Sequence, residues 1–201
     1  NALDGFDVLS ISFAAPGIAA EWGITRAQLG IVLSMELLGM SIGSIVLGGL
    51  ADRVGRRPTV LGCLILMAVG MFMATTARGL VDLSFWRVIT GLGIGGMLAA
   101  INAVAAEFSS TKRRHFSISL MAIGYPIGAV LGGLVVAQVL QLSNWRIVFT
   151  VGAIMTALFI PIVYFVLPES VHWLARKQPE NATEQINRTL QRMGHPPITV
   201  L

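Results

Sequence analysis

Four ionisable residues lie inside long apolar segments of this sequence, where charge is costly. They are Asp4, Asp7, Glu36 and Arg87. A charge at the middle of a bilayer costs roughly 2.5–3.5 kcal/mol even on lenient insertion scales. Residues of this kind in such a setting therefore need a partner or a functional role. The chemistry open to them is the uptake and release of a proton and the binding of a charged solute.

The two aspartates are spaced for a shared proton site. Asp4 and Asp7 are three residues apart, so they lie on one face of a helix. Two close carboxylates repel each other when both are ionised, which suits reversible protonation. Arg87 can oppose that repulsion by pairing with one of them. A purely structural buried ion pair between Asp7 and Arg87 is the alternative interpretation.

The depth of each residue in its segment leaves the partner of Arg87 open. At a rise of about 1.5 Å per residue, Asp7 lies about 20 Å from the outer end of its segment. The same count puts Glu36 about 15 Å and Arg87 about 10 Å from the outer end. Arg87 can thus meet Glu36 as easily as Asp7, although helix tilt and the Pro16-Gly17 break could bring Asp7 closer.

The segments that must position these residues have the composition of membrane-spanning helices. Hydrophobic residues make up 55% of the 201 residues and charged residues 12%, whereas a soluble domain has roughly 25% charged residues. A bilayer core about 30 Å thick requires about 20 apolar residues per helix. The sequence therefore predicts an all-α membrane protein with six spans, at residues 2–20, 27–50, 58–76, 80–107, 116–140 and 146–167.

The basic residues predict the orientation of these spans. Ten Lys and Arg residues fall on one side and three on the other, and an excess of positive charge marks the cytoplasm. This bias explains the net charge of +4 without a nucleic-acid partner. The cytoplasmic set is Arg53, Arg56, Arg57, Lys112, Arg113, Arg114, Arg176, Lys177, Arg188 and Arg192, and the opposite set is Arg26, Arg78 and Arg146.

The chain divides into a bundle and a polar tail. Residues 1–167 form the predicted six-helix bundle, and residues 168–201 are polar and contain four prolines. The tail is typical of the start of a cytoplasmic linker with one short surface helix. A first residue other than Met, with no basic stretch before the first apolar segment, indicates a truncated start. Trp22, Trp145 and Trp173 lie near helix ends, as residues of the interfacial aromatic belt do.

Glycines repeat between the two halves of the predicted bundle. Gly39, Gly43 and Gly48 recur after 85 residues as Gly124, Gly128 and Gly133. Small residues four apart let helix backbones approach closely, so two independent packing motifs would explain the pattern. The other interpretation is an inverted duplication of three helices plus three, as found in each half of many transporters.

The most specific motif lies between the second and third segments. It reads Gly48-Gly-Leu-Ala-Asp52-Arg53-Val-Gly55-Arg56-Arg57. It resembles the signature loop of the major facilitator superfamily, G-x-x-x-D-R-x-G-R-R, at every specified position. The resemblance implies the amino-terminal six-helix half of such a transporter, whose carboxy-terminal half is missing here. It also implies that Asp52 stabilises one face of the transport cycle by contacting a helix of that other half.

Further stretches extend the resemblance over nearly the whole chain. Arg87-Val-Ile-Thr-Gly91-Leu-Gly-Ile-Gly95 resembles the R-x-x-x-G-x-x-x-G stretch of the fourth helix. Glu107 and Arg114 match an E-x-x-x-x-x-x-R spacing of sugar porters, and Pro168-Glu169-Ser170 matches their P-E-S after helix six. The resemblance implies a cytoplasmic ion-pair cluster of Glu107, Arg114 and Glu169. Sugar porters continue with Pro-Arg where this chain has Val171-His172.

The first segment points to a subfamily. Asp4-Gly5-Phe6-Asp7 resembles the D-G-F-D signature of aromatic acid:proton symporters, which import benzoate-type and hydroxybenzoate-type acids across the bacterial inner membrane. The Gly5-Phe6-Asp7 portion also resembles the G-Y-D of proton-coupled sugar porters. The expected function is proton-coupled uptake of an aromatic carboxylic acid by alternating access. A sugar or other metabolite:proton symporter and a non-transporting half-protein are the alternatives.

Other classes of function find no support in the sequence. No nucleophile–base arrangement, P-loop or dinucleotide motif is present, so an enzyme is not predicted. His115, His172 and His195 are far apart and lack metal-ligand spacing. We expect no cofactor and no metal. The predicted partners are a small-molecule substrate, protons, the lipid bilayer and the second half of the transporter.

Overall fold

A computed structural model describes residues 1–109, 114–141, 143–178 and 181–192. Within these ranges the chain is helical and contains no strand. Six helices are long and apolar enough to cross a membrane, which confirms the predicted spans. They are α1 (Ala2–Trp22), α2 (Arg26–Val54), α3 (Arg56–Ala74), α4 (Leu80–Glu107), α5 (Arg114–Leu140) and α6 (Arg146–Val166), and two short helices follow as α7 (Val171–Lys177) and α8 (Ala182–Arg192).

The helix boundaries follow from local chemistry. Gly23 ends α1 in the left-handed conformation, with φ of 63°, and its N–H donates to the carbonyl oxygen of Ala19. Thr25 then starts α2 with a capping box, in which its hydroxyl accepts from the Gln28 N–H and its own N–H donates to the Gln28 side chain. Pro58 lies in the first turn of α3, where its missing N–H costs nothing.

The first three helices, α1 to α3, and the next three, α4 to α6, pack in equivalent ways. α2 lies against α4 as α5 lies against α1, while α3 contacts α4 as α6 contacts α1. Gly43 abuts Leu92 across the first of these interfaces, and Gly128 abuts Ala2 across the second. These contacts match because Gly43 and Gly128 are 85 residues apart, as the glycine repeat requires.

A second pair of contacts obeys the same relation. Gly95 of α4 packs on the backbone of Met40, and Gly5 of α1 packs on the backbone of Tyr125, which is 85 residues beyond Met40. In both places a Cβ atom would collide with a carbonyl oxygen, so only glycine allows the approach. Each group has three helices, which is an odd number, so α4 runs in the opposite direction to α1. This packing confirms the three-plus-three inverted duplication.

The outside of the bundle is apolar. Ile45, Val81 and Phe165 are among many large hydrophobic side chains that remain mostly exposed, at 77%, 84% and 77%. A surface of this kind is not stable in water, and it matches the hydrocarbon interior of a membrane. Together with the six spans, it identifies a multi-pass integral membrane protein whose partner around the bundle is the lipid bilayer.

The polar tail is more ordered than the sequence predicts. Two helices, α7 and α8, stand where one short surface helix was expected, and residues 193–201 lie outside the described part. Ser170 caps α7 by accepting a hydrogen bond from the Trp173 N–H at 3.2 Å. Sequence patterning missed α7 because its seven residues span only two turns, which are too short for a periodic signal.

The Lys and Arg bias makes the orientation of the bundle testable. We expect Arg176 to face the cytoplasm and Ser143 the periplasm. In intact cells, an impermeant thiol reagent should label Ser143→Cys, and it should label Arg176→Cys only after the membrane is permeabilised. Cys63 is 1% exposed and should give no background. Labelling of the 176 variant without the 143 variant in intact cells contradicts this orientation.

Candidate functional site

Arg87 lies at the centre of the bundle and contacts four other helices. Its side chain is fully buried. Nη2 forms an ion pair with Oε1 of Glu36 on α2 and donates a hydrogen bond to the backbone oxygen of Asp7 on α1 at 2.8 Å. Nη1 lies 3.2 Å from the sulfur of Met71 on α3, and the guanidinium lies 5.6 Å from the ring centroid of Phe149 on α6. The carboxylate partner of Arg87 in this structure is therefore Glu36.

Glycines bring Glu36 and Arg87 together. Gly91 is one turn beyond Arg87 on α4, and a Cβ on Gly91 would collide with the backbone oxygen of Glu36. Gly39 meets the backbone of Val88 in the same way from the side of α2. The two backbones thus touch at the level of this pair, and the pair is fixed by the packing of α2 on α4.

The two aspartates of α1 are also buried. Asp7 is 0% exposed and Asp4 is 1% exposed. Neither carboxylate oxygen of Asp7 has a hydrogen-bond partner within the described part of the chain. Oδ2 of Asp4 lies 3.2 Å from the backbone nitrogen of Asn1. An ionised carboxylate with no hydrogen-bond partner is costly in a membrane.

Three carboxylates and one guanidinium therefore share the interior of the bundle. With Glu36 neutralising Arg87, no cation within hydrogen-bonding distance remains for the carboxylate of Asp7 among the described residues. Arg87 nevertheless contacts the backbone of Asp7, so all three residues meet in one cluster. Such an arrangement can hold a proton and release it. It can also let the guanidinium change its partner from one carboxylate to another.

A second polar cluster lies where α2 meets α3. Oε1 of Glu169 accepts hydrogen bonds from the backbone N–H groups of Arg56 at 2.7 Å and Arg57 at 3.3 Å. A carboxylate at this position accepts hydrogen bonds from the free N–H groups at the start of α3. Its negative charge also interacts favourably with the positive end of the helix dipole. Nη2 of Arg56 lies 2.9 Å from Oδ1 of Asp52 and 3.3 Å from Oε1 of Glu107.

The tail completes this second cluster. Ser170 donates from its hydroxyl to Oε2 of Glu107 at 2.5 Å, and Trp173 donates from its ring nitrogen to the backbone oxygen of Arg53 at 3.4 Å. Arg57 donates to the backbone oxygen of Tyr164 at 2.5 Å and lies over the Tyr164 ring. The start of the tail is therefore bonded to the α2–α3 junction and to the end of α4.

The structure brings Glu107 and Glu169 into this cluster but not Arg114. Glu107 pairs with Arg56, whereas Arg114 is exposed at the first residue of α5 and forms no ion pair within the described ranges. Lys112 and Arg113 lie outside the described residues. Arg56 reaches Glu107 because α3 begins directly after Gly55, with no intervening loop.

Gly48 packs against Ala99 on α4, where a Cβ would lie 3.1 Å from the Ala99 side chain.

Gly55 is required in this junction for two reasons. Its φ of 118° is a conformation that other residues rarely adopt, and a Cβ there would lie 2.5 Å from Oε2 of Glu169. We expect Gly55→Ala to lower the thermal stability of the detergent-solubilised protein, at a cost of about 1–3 kcal/mol. Gly62→Ala is the matched control, since nothing lies within 4 Å of that added Cβ. Equal melting temperatures for the two variants would contradict the expectation.

A third cluster was missed by sequence reasoning. Oε2 of Glu21 accepts hydrogen bonds from the Trp145 ring nitrogen at 2.6 Å and from Arg146 at 2.7 Å, which joins α1 to α6. Trp145 is only 3% exposed and packs edge-on against Trp22 at 5.3 Å. Trp145 thus lies at a helix end, as the sequence predicts, but its ring packs against α1 and is not on the outer surface of the bundle. Nothing in the sequence around Trp145 indicates a contact with Glu21, which lies 124 residues away in the chain.

Several known proteins are similar to this chain in sequence. Residues 1–200 match the family model described as Major Facilitator Superfamily. The gallate transporter of Pseudomonas putida is 31% identical over 95% of this chain, and the 4-hydroxybenzoate transporter PcaK of Acinetobacter baylyi is 32% identical over 96%. The chain spans 42% of the length of each of these relatives.

A solved structure supports the fold. The proton:xylose symporter XylE, bound to a bromodeoxyglucose, aligns with 96% of this chain at a TM-score of 0.83 and 20% identity. The alignment covers 47% of that protein. At this identity the likeness concerns the arrangement of the six helices.

Proposed function

The chain belongs to the major facilitator superfamily, and we propose that it is the amino-terminal half of a proton-coupled importer of an aromatic carboxylic acid. The observation that carries the proposal is the buried cluster of Asp7, Glu36 and Arg87. Relatives named as transporters of gallate and 4-hydroxybenzoate support the choice of substrate. The substrate site would lie between this bundle and a second six-helix bundle, and alternating access would come from rocking of one bundle against the other.

Proton coupling fits the charge of such a substrate. An aromatic carboxylic acid is an anion at neutral pH, and an inside-negative membrane potential opposes its entry by about 2.3 kcal/mol per 100 mV. One cotransported proton cancels that charge, and a second makes the potential favourable. A buried carboxylate that can hold a proton beside a guanidinium is the element that such coupling needs, and Asp7 beside Arg87 supplies it.

The cluster at the α2–α3 junction fits a role in the conformational cycle. Asp52 pairs with Arg56, yet 63% of its side chain remains exposed and free to contact a second bundle. Glu169 and Glu107 fix the arginines beside it. We propose that this cluster, in the cytoplasmic loops of a bacterial inner-membrane protein, stabilises one of the two access states.

Asp52→Asn tests that role in the transporter that contains both halves. We expect the variant to reach the membrane but to transport poorly, because loss of the contact shifts the population of access states. Uptake is compared with wild type at equal membrane abundance, and Asp82→Asn, an exposed residue at the opposite end of the bundle, is the control. Wild-type uptake by Asp52→Asn would reject the role.

The proposed function is tested by uptake into proteoliposomes. With an imposed pH gradient, acidic outside, labelled 4-hydroxybenzoate should accumulate, and a protonophore should abolish the accumulation. A sugar or other metabolite:proton symporter is the second candidate, because the Glu107 and Glu169 cluster follows motifs of sugar porters. Accumulation of xylose with no accumulation of gallate, benzoate or 4-hydroxybenzoate would favour that candidate and reject the aromatic acid.

A further inference from the structure

Glu36 is the carboxylate that Arg87 contacts, although Asp7 is the one expected to carry the proton. We propose that Glu36 is a positioning residue that holds Arg87 while Asp7 is protonated, so that Asp7 can be neutral beside a guanidinium. When Asp7 loses its proton, Arg87 turns toward it and is shared between the two carboxylates. This inference rests on the proposed proton coupling and assigns a role in it to α2.

Arg87 already contacts both residues that take part in this exchange. The same nitrogen, Nη2 of Arg87, makes the ion pair with Glu36 and donates to the backbone oxygen of Asp7. In the proposed exchange, rotations about the side-chain bonds of Arg87 and Asp7 bring the guanidinium to the carboxylate. A guanidinium has five N–H donors and can serve two carboxylates at once. The structure shows Arg87 at the Glu36 end of this exchange, with both oxygens of Asp7 unbonded.

Because Glu36 pairs with Arg87, no aspartate of the cluster is needed to neutralise the guanidinium. Asp4 and Asp7 face it from α1, Glu36 from α2 and Arg87 from α4. The neighbouring side chains from the other three helices are uncharged at neutral pH: the thiol of Cys63 on α3, the phenol of Tyr125 on α5 and the ring of Phe149 on α6. If Glu36 were absent, Arg87 would have only the aspartates to neutralise it. Asp7 would then be held as an anion and would bind its proton only at lower pH.

The variant Glu36→Gln removes the charge and keeps the shape. In proteoliposomes containing the full-length transporter, proton-driven uptake of 4-hydroxybenzoate is measured across a range of external pH. We expect the pH of half-maximal uptake to fall by about 1–3 units, the size of shift that a charged neighbour causes. Counterflow exchange should be retained, and Glu36→Asp should return the profile toward wild type. Glu184→Gln, on the exposed face of α8, is the matched control and should leave the profile unchanged.

Two results would overturn the proposal in a variant that reaches the membrane. An unchanged pH profile would mean that Arg87 does not depend on Glu36. Loss of both uptake and counterflow at normal abundance would mean that Glu36 binds substrate and does not serve to hold Arg87.

Membrane abundance gives a readout that is independent of transport. If Glu36→Gln fails to accumulate in the membrane, the pair Glu36→Gln with Arg87→Gln should restore abundance, because it removes the uncompensated charge. Asp7→Asn combined with Arg87→Gln should give no more protein than Arg87→Gln alone. Absence of the first rescue would refute the pairing. If wild type fails to couple aromatic acid uptake to protons, the proposed function fails, and the abundance comparison still tests the pair.

Discussion

Asp7→Asn is expected to abolish accumulation of substrate driven by a pH gradient, while exchange of substrate across the membrane survives at least in part. The reason is that amide and carboxylic acid have nearly the same shape, but the amide cannot gain or lose a proton in the cycle. Asp7 is 0% exposed and contacts Arg87 through its backbone, so the substitution leaves that hydrogen bond in place. Uptake and counterflow are measured in proteoliposomes containing the full-length protein, with and without an imposed gradient.

Asp4→Asn is the comparison for this prediction. Asp4 lies one turn away on the same helix and is equally buried, but Arg87 forms no hydrogen bond or ion pair with it among the described residues. We expect a milder loss of accumulation if Asp4 only tunes its neighbour. An Asp7→Asn transporter that still concentrates substrate against its gradient would make Asp7 structural. Asp4 or Glu36 would then be the better candidate for the coupling carboxylate.

The six spans could be predicted from the sequence because a bilayer imposes length and composition on each helix separately. The segments at residues 80–107 and 116–140 agree with α4 and α5 to within two residues at each end. The ends of α2 and α3 were harder to place. The sequence predicted a loop at residues 51–57, but the two helices continue to Val54 and from Arg56, with Gly55 alone between them. A single glycine with positive φ can reverse the chain, so polar residues that look like a loop belong to the helix ends.

The partner of Arg87 could not be predicted from the count of residues from a helix end. That count gives the depth of a residue along its helix, but it does not give the direction in which the side chain points around the helix axis. By depth, Glu36 and Asp7 were both open as partners. The choice is made by Gly91 and Gly39, which let α2 and α4 touch at the level of Glu36. The glycine repeat was visible in the sequence, but only the three-dimensional packing shows that it faces the ionisable residues.

The hydrogen bonds of Glu21 and Glu169 show a different limit. Each glutamate joins segments that are more than 100 residues apart in the chain. The resemblance to sugar porters pointed to Glu169, whereas no motif marked Glu21. Charged residues at helix ends have many possible partners, and only the arrangement of the helices selects one.

Arg87→Gln is expected to reduce the amount of transporter in the membrane and to abolish uptake by the molecules that remain. The substitution leaves Glu36 buried with no cation and removes contacts to α1, α3 and α6 as well. Breaking a buried ion pair in this way costs about 3–5 kcal/mol. At 1.4 kcal/mol per tenfold change, that is more than about a hundredfold in the ratio of folded to unfolded protein. Abundance is measured by quantitative immunoblotting of membranes, and uptake is normalised to it.

Arg87→Lys separates the charge from the shape of the guanidinium. A lysine keeps a positive charge beside Glu36, so abundance should recover. It is a compact point charge and lacks the planar fork that reaches Glu36, Met71 and the Asp7 backbone together, so uptake should stay low. Arg26→Gln is the control, since Arg26 is exposed at the start of α2 and has no ion pair within the described ranges. Full uptake by Arg87→Lys would show that a positive charge is enough, and Arg87 could then not act by bridging Asp7 and Glu36.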